Sequence, residues 1–364
     1  MVGTLNLSEN AAGRVAMLMA SSVAISLILY SLLWMPSSSI DFFRLQQPQN
    51  ATVVSEDELE KALKGASMDN RTVIISVLNK AYAKENGMLD LFLRSFRQGE
   101  DTEFLLKHLL LVAVDQESFE RCKLLGLHCY KLVTDGVDFS KEELYMSTDF
   151  IKMMWRRTLF LGDVLRHGYN FIFTDMDILW LRNPFVKFGH EGEDLQISCD
   201  WYNGRPFDHS NTINTGFYFV TSNNKTMTLF DWWYKSRNET AAIKEQDVLA
   251  KMKSMGAFQR LGMKVRFLDT MYFSGFCKTS QDFRKVCTVH ANCCRSVKAK
   301  LADLTASLEV WKRSNGIANS QMASAPCMQK FVEGEHCCIA ISADDLILLF
   351  SWTVKRNSAK HVIP

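Results

Sequence analysis

The 364-residue chain lacks a charge of either sign in excess: 42 Lys and Arg against 40 Asp and Glu leave +2 at pH 7. No basic stripe stands out, so no nucleic-acid partner is expected, and nothing suggests a polyanion larger than a local phosphate. None of the ten cysteines forms a C-x-x-C pair, which removes the usual signature of zinc ribbons and thioredoxin-type redox sites. No internal repeat is evident. What remains is 47% hydrophobic and 23% charged, the balance of a foldable globular protein with room for one large domain and attachments, or two small ones.

Charge is absent altogether from Val15 to Met35, a run rich in Leu, Ile, Val, Ala and Met. Its length spans a hydrocarbon core of about 30 Å as a helix. A cleaved signal peptide is the rival reading, but its apolar region normally runs only about 7–15 residues. The flanking Glu9, Arg14, Asp41 and Arg44 barely decide orientation. Four N-x-Thr sequons follow the span, at Asn50, Asn70, Asn224 and Asn238, and sequons act only in a secretory lumen. Residues 36–68 open with Pro36-Ser37-Ser38-Ser39 and read as a stem, with Glu56 to Lys64 as a short solvated helix.

From Thr72 the pattern changes. Val73 to Val77 reads as a buried strand, Lys80 to Phe96 as a helix with Ala81, Met88, Leu91, Phe92 and Phe96 inward, and Leu109 to Val114 as a second strand. Glu117 to Leu125 and Tyr145 to His167 read as helices, the latter with Met153, Trp155, Leu159 and Leu161 in the core. Phe171-Ile172-Phe173 reads as a third strand. This alternation predicts an α/β domain with a mainly parallel sheet, in which ligands bind beyond the C-terminal strand ends.

Beyond Phe173 stand Asp175 and Asp177. Side chains two apart in an extended chain point the same way, and two adjacent carboxylates need a counter-ion. A divalent cation is the natural one, able to bridge diphosphate oxygens. The apolar runs on both sides make a mere solvated turn a poorer explanation. Haloacid-type phosphatases also place an acidic pair after a strand, with Asp175 then the nucleophile, but Leu179 stands where that motif carries Thr or Val.

Residues 155–185, WRRTLFLGDVLRHGYNFIFTDMDILWLRNPF, resemble the plant nucleotide-diphospho-sugar transferases, glycosyltransferase family 77. The blocks RTVIISVLNKAY, CDWYNG, NTGFYFVTSN, EQDVL, RFLDTMYFSGFC and VHANCC extend the likeness, in order, from about Arg71 to Trp311. The resemblance implies a GT-A fold, a Rossmann-like mixed sheet with flanking helices, behind an N-terminal transmembrane helix in the Golgi membrane. It implies Mn2+, or Mg2+, and transfer of arabinose or xylose with retention from a UDP-sugar to a cell-wall polysaccharide or hydroxyproline-rich glycoprotein. The implied organisation is a cytosolic tail (1–14), signal anchor (15–35), stem (36–68), catalytic domain (69–312) and divergent C-terminal extension (313–364).

By the same resemblance Asp175, Asp177 and His290 are the metal ligands. A mixed oxygen and imidazole set suits manganese. Gln246 and Asp247 are the catalytic pair, beside the donor sugar, where retention needs an oxocarbenium-like centre stabilised. Asn214 and Gly216 are assigned to the donor site, as are Lys152 and Arg156, four apart on one helix face. Asn79 and Asp200 are candidates at strand ends. Lys300 is the diphosphate-binding candidate, although Ser296 stands where the family pattern has Gly. The competing explanation is a buried, hydrogen-bonded core histidine for His290, a helix N-terminal Asp for Asp247, a strand-end turn for Asn214, a solvated basic face for Lys152 and Arg156, and a plain loop residue for Asn79 and Asp200. At the level of the whole protein, a non-catalytic nucleotide-sugar-binding partner subunit is the alternative to an active transferase.

Overall fold

The computed structural model describes residues 52–134, 148–238 and 243–316. The run 15–35, Asn50 and most of the 313–364 extension lie outside the described residues. Among the described residues no helix is long and apolar enough to cross a membrane.

The β-branched run at the start of the globular part forms β1 (Thr72–Leu78), buried along almost its whole length. It lies between β2 (Leu109–Ala113) and β4 (Asn170–Thr174), parallel to both, and β3 (His128–Lys131) extends the parallel set beyond β2. Beyond β4 the direction reverses. β7 (Thr212–Val220) is antiparallel to β4 and to β6 (Leu195–Trp201), and β8 (Val265–Phe267) runs parallel to β6. The sheet order is β3-β2-β1-β4-β7-β6-β8, so the expected mixed α/β sheet is present, six strands running one way and β7 alone reversed.

Alternation along these strands divides the core between the two faces. Ile74, Leu109, Leu111 and Ile172 pack on one side, and Val73, Ile75, Leu110, Val112, Phe171 and Phe173 on the other. The second face is covered by α5 (Thr148–Arg166), with Trp155, Phe160, Leu161, Val164 and Leu165 buried there. Met153 and Leu159, expected in the core, are only half-buried.

Two expectations are corrected. The helix predicted over 80–96 is two, α2 (Lys80–Ala83) and α3 (Met88–Gln98). Between them Asn86 turns to a φ of 56°, its amide donating to Asp90, and a Cβ at Gly87 would meet the Lys84 carbonyl at 2.7 Å. The apolar stripe continues across this break because Met88, Leu91, Phe92 and Phe96 still face the core. The helix expected over 56–64 also differs. Helix α1 (Thr52–Ala66) is not solvated, for Leu59, Leu63 and Ala66 are buried against the sheet. Asn70 is exposed in the turn before β1, and Asn224 is exposed in the first turn of α6 (Asn224–Lys235). The backbone of Asn238 closes the short turn after that helix.

A second, three-stranded sheet sits beside the first, in the order β5 (Ile178–Trp180), β10 (Thr288–His290), β9 (Phe273–Gly275). Phe96 of α3 stacks on Trp180 at 4.5 Å between ring centroids, and Ser95 accepts a hydrogen bond from the Trp180 amide. These contacts fix the strand that follows the acidic pair. Among the described residues Cys122, in α4 (Gln116–Leu124), bonds Cys129, and Cys277 bonds Cys293, with Cα separations of 6.1 and 5.3 Å.

Candidate active site

Strand register assembles the site. β4 ends at Thr174, opposite Phe217 of β7, and the ladder continues one step further, with the Asp175 amide donating to the Gly216 carbonyl at 2.7 Å. β5 begins at Ile178, directly opposite His290 at the end of antiparallel β10. The Ala291 amide donates to the Asp177 carbonyl at 3.0 Å, closing that pair. Residues 113 positions apart in sequence are thereby neighbours. His290 Nε2 lies 3.4 Å from Asp177 Oδ1 and 3.8 Å from Asp175 Oδ2.

Gly216 leaves the room for this cluster. A Cβ there would fall 2.3 Å from His290 Cε1 and 2.8 Å from Asp175 Oδ2. A glycine inside a strand marking close approach is therefore explained by this contact.

The two carboxylates have different partners. Asp175, 31% exposed, accepts a hydrogen bond from Arg157 at 2.9 Å. Arg157 is 4% exposed, donates also to Glu245 at 2.6 Å, and lies over the Phe173 ring at 4.5 Å. Asp177, 6% exposed, accepts from Lys300 at 2.6 Å. Burial pushes the Asp175 carboxyl up; Arg157 opposes this, Asp177 adds to it, and the net direction is up. Burial pushes Asp177 the same way, but Lys300 and then His290 outweigh it and hold that carboxyl well below the usual range. For His290 burial favours the neutral ring, yet Asp177 outweighs it and raises the imidazole above its ordinary value.

Asp175, Asp177 and His290 each offer one atom, all within 4.8 Å of one another. Two carboxylate oxygens and an imidazole nitrogen, gathered where two cationic side chains already answer the negative charge, fit a divalent ion.

A second polar group adjoins the first. Asp200, at the end of β6, accepts from Asn214 at 2.9 Å and from Asn292 at 2.8 Å, with Gln246 Nε2 3.4 Å away. Asn214 in turn accepts from the Gly216 amide. Gln246 lies in the first turn of α7 (Glu245–Ser254) and accepts from the amide and hydroxyl of Thr215. The structure thus brings together Asp175, Asp177, His290, Lys300, Asp200, Asn214, Gly216 and Gln246.

Other expected residues have other partners. Asp247 is 52% exposed and its carboxylate faces Lys244 at 3.8 Å, because it falls on the outer side of α7 while Glu245 takes the inner one. Lys152 is exposed and paired with Asp149, and Arg156 donates to Thr134 and to the Val133 carbonyl. The basic side chain that reaches the acidic pair is the next one, Arg157. Asn79 is the N-cap of α2, accepting from the Tyr82 amide. Ser296 caps α9 (Val297–Gly316, after the short α8, Ala257–Arg260), its hydroxyl accepting from the Ala299 amide at 3.3 Å. The replacement of Gly by Ser therefore has a use, starting the helix that carries Lys300.

Arg157, Glu245 and Asn292 were not anticipated. Arg157 did carry a signal, since it lies four residues before Leu161 on the buried stripe of α5, where a charge needs partners. Glu245 and Asn292 had none beyond their neighbours.

Residues 104–304 match the nucleotide-diphospho-sugar transferase family. An uncharacterised Arabidopsis thaliana protein is 53% identical over 263 residues, covering 71% of this chain and 78% of the relative. The β-arabinofuranosyltransferase RAY1 of the same plant is 25% identical over 229 residues, 59% of this chain and 41% of its own length. Among solved structures, a galactosyltransferase in complex with donor and acceptor sugar analogues superposes with a TM-score of 0.40 at 14% identity, over 66% of this chain and 95% of that one. The phosphatase alternative is set aside, since Asp175, its required nucleophile, is tied to a buried Arg157 in a chain that matches a transferase family over more than half its length. With the acidic pair, His290, Gln246 and Lys300 all inside the matching span, the chain belongs to the nucleotide-diphospho-sugar transferase family.

Proposed function

We propose that this nucleotide-sugar-dependent glycosyltransferase is a metal-dependent, retaining GT-A enzyme that transfers arabinose or xylose from a UDP-sugar. The acceptor would be a cell-wall polysaccharide or hydroxyproline-rich glycoprotein, and the site the Golgi lumen, behind a single-pass type II anchor. The observation that carries the reading is the Asp175–Asp177–His290 cluster beyond the end of a parallel strand. The pentose is supported by the activity in the name of RAY1. The lumen is supported by the sequons, the uncharged run at 15–35 and the disulfides Cys122–Cys129 and Cys277–Cys293, since disulfides persist in oxidising compartments.

In this reading Asp175, Asp177 and His290 hold Mn2+, with Mg2+ as substitute. The ion would offset the charge of the departing nucleoside diphosphate. Lys300 adds a cation on the diphosphate side. Asp200 orients the amides of Asn214, Asn292 and Gln246, which offer hydrogen bonds to sugar hydroxyls. Of the expected catalytic pair Gln246 joins the Asp200 group, while Asp247 is turned outward to Lys244. That outward Asp247 is the one observation favouring the second reading, a nucleotide-sugar-binding partner subunit without turnover.

The test is full-length protein with manganese and UDP-arabinofuranose or UDP-xylose, with D175A/D177A as control. Metal-dependent transfer or slow donor hydrolysis by the wild type alone supports the enzyme. Donor binding without turnover, even with cell-wall acceptors, supports the partner subunit. If the double variant equals the wild type, the metal reading is wrong. Endoglycosidase-sensitive glycans at Asn70 or Asn224 would test the lumenal location.

A further inference from the structure

Lys300 stands one turn into α9, and its ammonium is 2.6 Å from Asp177 Oδ2, with only 16% of the side chain exposed. The other oxygen of Asp177 faces His290 Nε2 at 3.4 Å. The ammonium therefore neutralises the carboxylate that any dication in the cluster must share. An ammonium and a dication on one buried carboxylate repel strongly, since water does not screen them there.

The cation at the other carboxylate is held differently. Arg157 is gripped by Glu245, lies on Phe173 and is fully enclosed, so it has nowhere to go. Lys300 is a point charge on a flexible four-carbon stem, held at the cluster by one carboxylate.

We propose that Lys300 is the resident counter-ion of the metal-free cleft and leaves Asp177 when a dication binds, turning to the donor's diphosphate, so that cation and nucleotide diphosphate bind with positive coupling. The inference rests on the metal reading above. Its physical content is an exchange of charge partners. The dication alone displaces an ammonium that then has no anion. The diphosphate alone meets a lysine already engaged. Together each supplies what the other removes, and by linkage each tightens the other by the same factor.

The experiment uses the metal-stripped full-length chain, with manganese chloride followed by electron paramagnetic resonance of the free ion. Titrations are run without and with UDP, correcting for the Mn–UDP complex in solution. Saturating UDP is expected to tighten manganese binding to the wild type by about tenfold or more. K300M is expected to bind manganese alone about tenfold more tightly than the wild type and to lose most of the UDP effect. K300Q serves if K300M does not fold, and K312M, which removes a charge further along the same helix, should follow the wild type. Manganese affinity in K300M or K300Q equal to or weaker than wild type, or an unchanged UDP effect, overturns the exchange while leaving the metal site standing. Manganese binding that survives D175A/D177A instead overturns the metal reading, and the exchange with it.

Discussion

The two sides of the cleft neutralise the same kind of charge by opposite means. On the Asp175 side, Arg157 bridges two carboxylates and is enclosed by protein, so the neutralisation is permanent and couples α5 to α7. On the Asp177 side the partner is a single lysine from α9, near the edge of the small sheet. A planar guanidinium with several fixed donors suits a buried three-way contact, while an ammonium on a flexible stem suits a partner that changes. The difference teaches which half of the site is scaffold and which half is free to respond to ligand.

The largest expected effect breaks the responsive side. D177A should abolish stabilisation by manganese and lower donor turnover by about a thousandfold, about 4 kcal/mol in the barrier, read by steady-state kinetics. Retained turnover would show that Asp177 serves only to hold Lys300.

Next, the scaffold side. R157M leaves Glu245 and Asp175 as uncompensated charges and should cost about 3–5 kcal/mol in urea unfolding. K300M should cost clearly less, because it strips a partner from one carboxylate, which keeps His290, while R157M strips it from two. Equal costs would erase the comparison.

G216A places a methyl against both sides at once, on His290 and Asp175, and should lose about 1–3 kcal/mol by overpacking. Manganese affinity should fall with it, which differential scanning with and without the ion would show.

The pH dependence is smaller and its sign is fixed. The raised His290 contributes stability to the metal-free protein below its ordinary value of 6.5, and loses it as pH rises through the raised value. The lowered Asp177 contributes throughout that window and fails only in strong acid. A dication must displace the His290 proton, so the stabilisation on adding manganese, read by urea unfolding, should be greater at about pH 8 than at about pH 6, by up to about 1.4 kcal/mol per pH unit for one proton. A gain that shrinks as pH rises would remove His290 from the ligand set. The smallest change, S296A, removes the cap of α9 and should cost about 1 kcal/mol.

Much of this was legible in the chain. Short continuous apolar runs located β1, β2 and β4, because a central parallel strand must be apolar on both faces. The acidic pair was legible as two charges inside apolar sequence. Its imidazole partner came from a block resemblance, since a lone histidine says little. Lys152 and Arg156 were misplaced by sharing a helix face, when the face that mattered was the buried one holding Arg157. Asp247 turns outward because residues two apart in a helix diverge by about 200°, so with Glu245 inward Asp247 faces the other side.

The sequence by itself determined the elements, the mixed α/β class and the carboxylates at a strand end, because these follow from hydrophobic periodicity and local spacing. Tertiary structure alone decided which charges meet. The antiparallel register of β5 and β10 delivers His290 to Asp177, and the packing of α5 against α7 delivers Arg157 to Glu245. Such pairings join residues about a hundred positions apart, and no local propensity carries information over that distance.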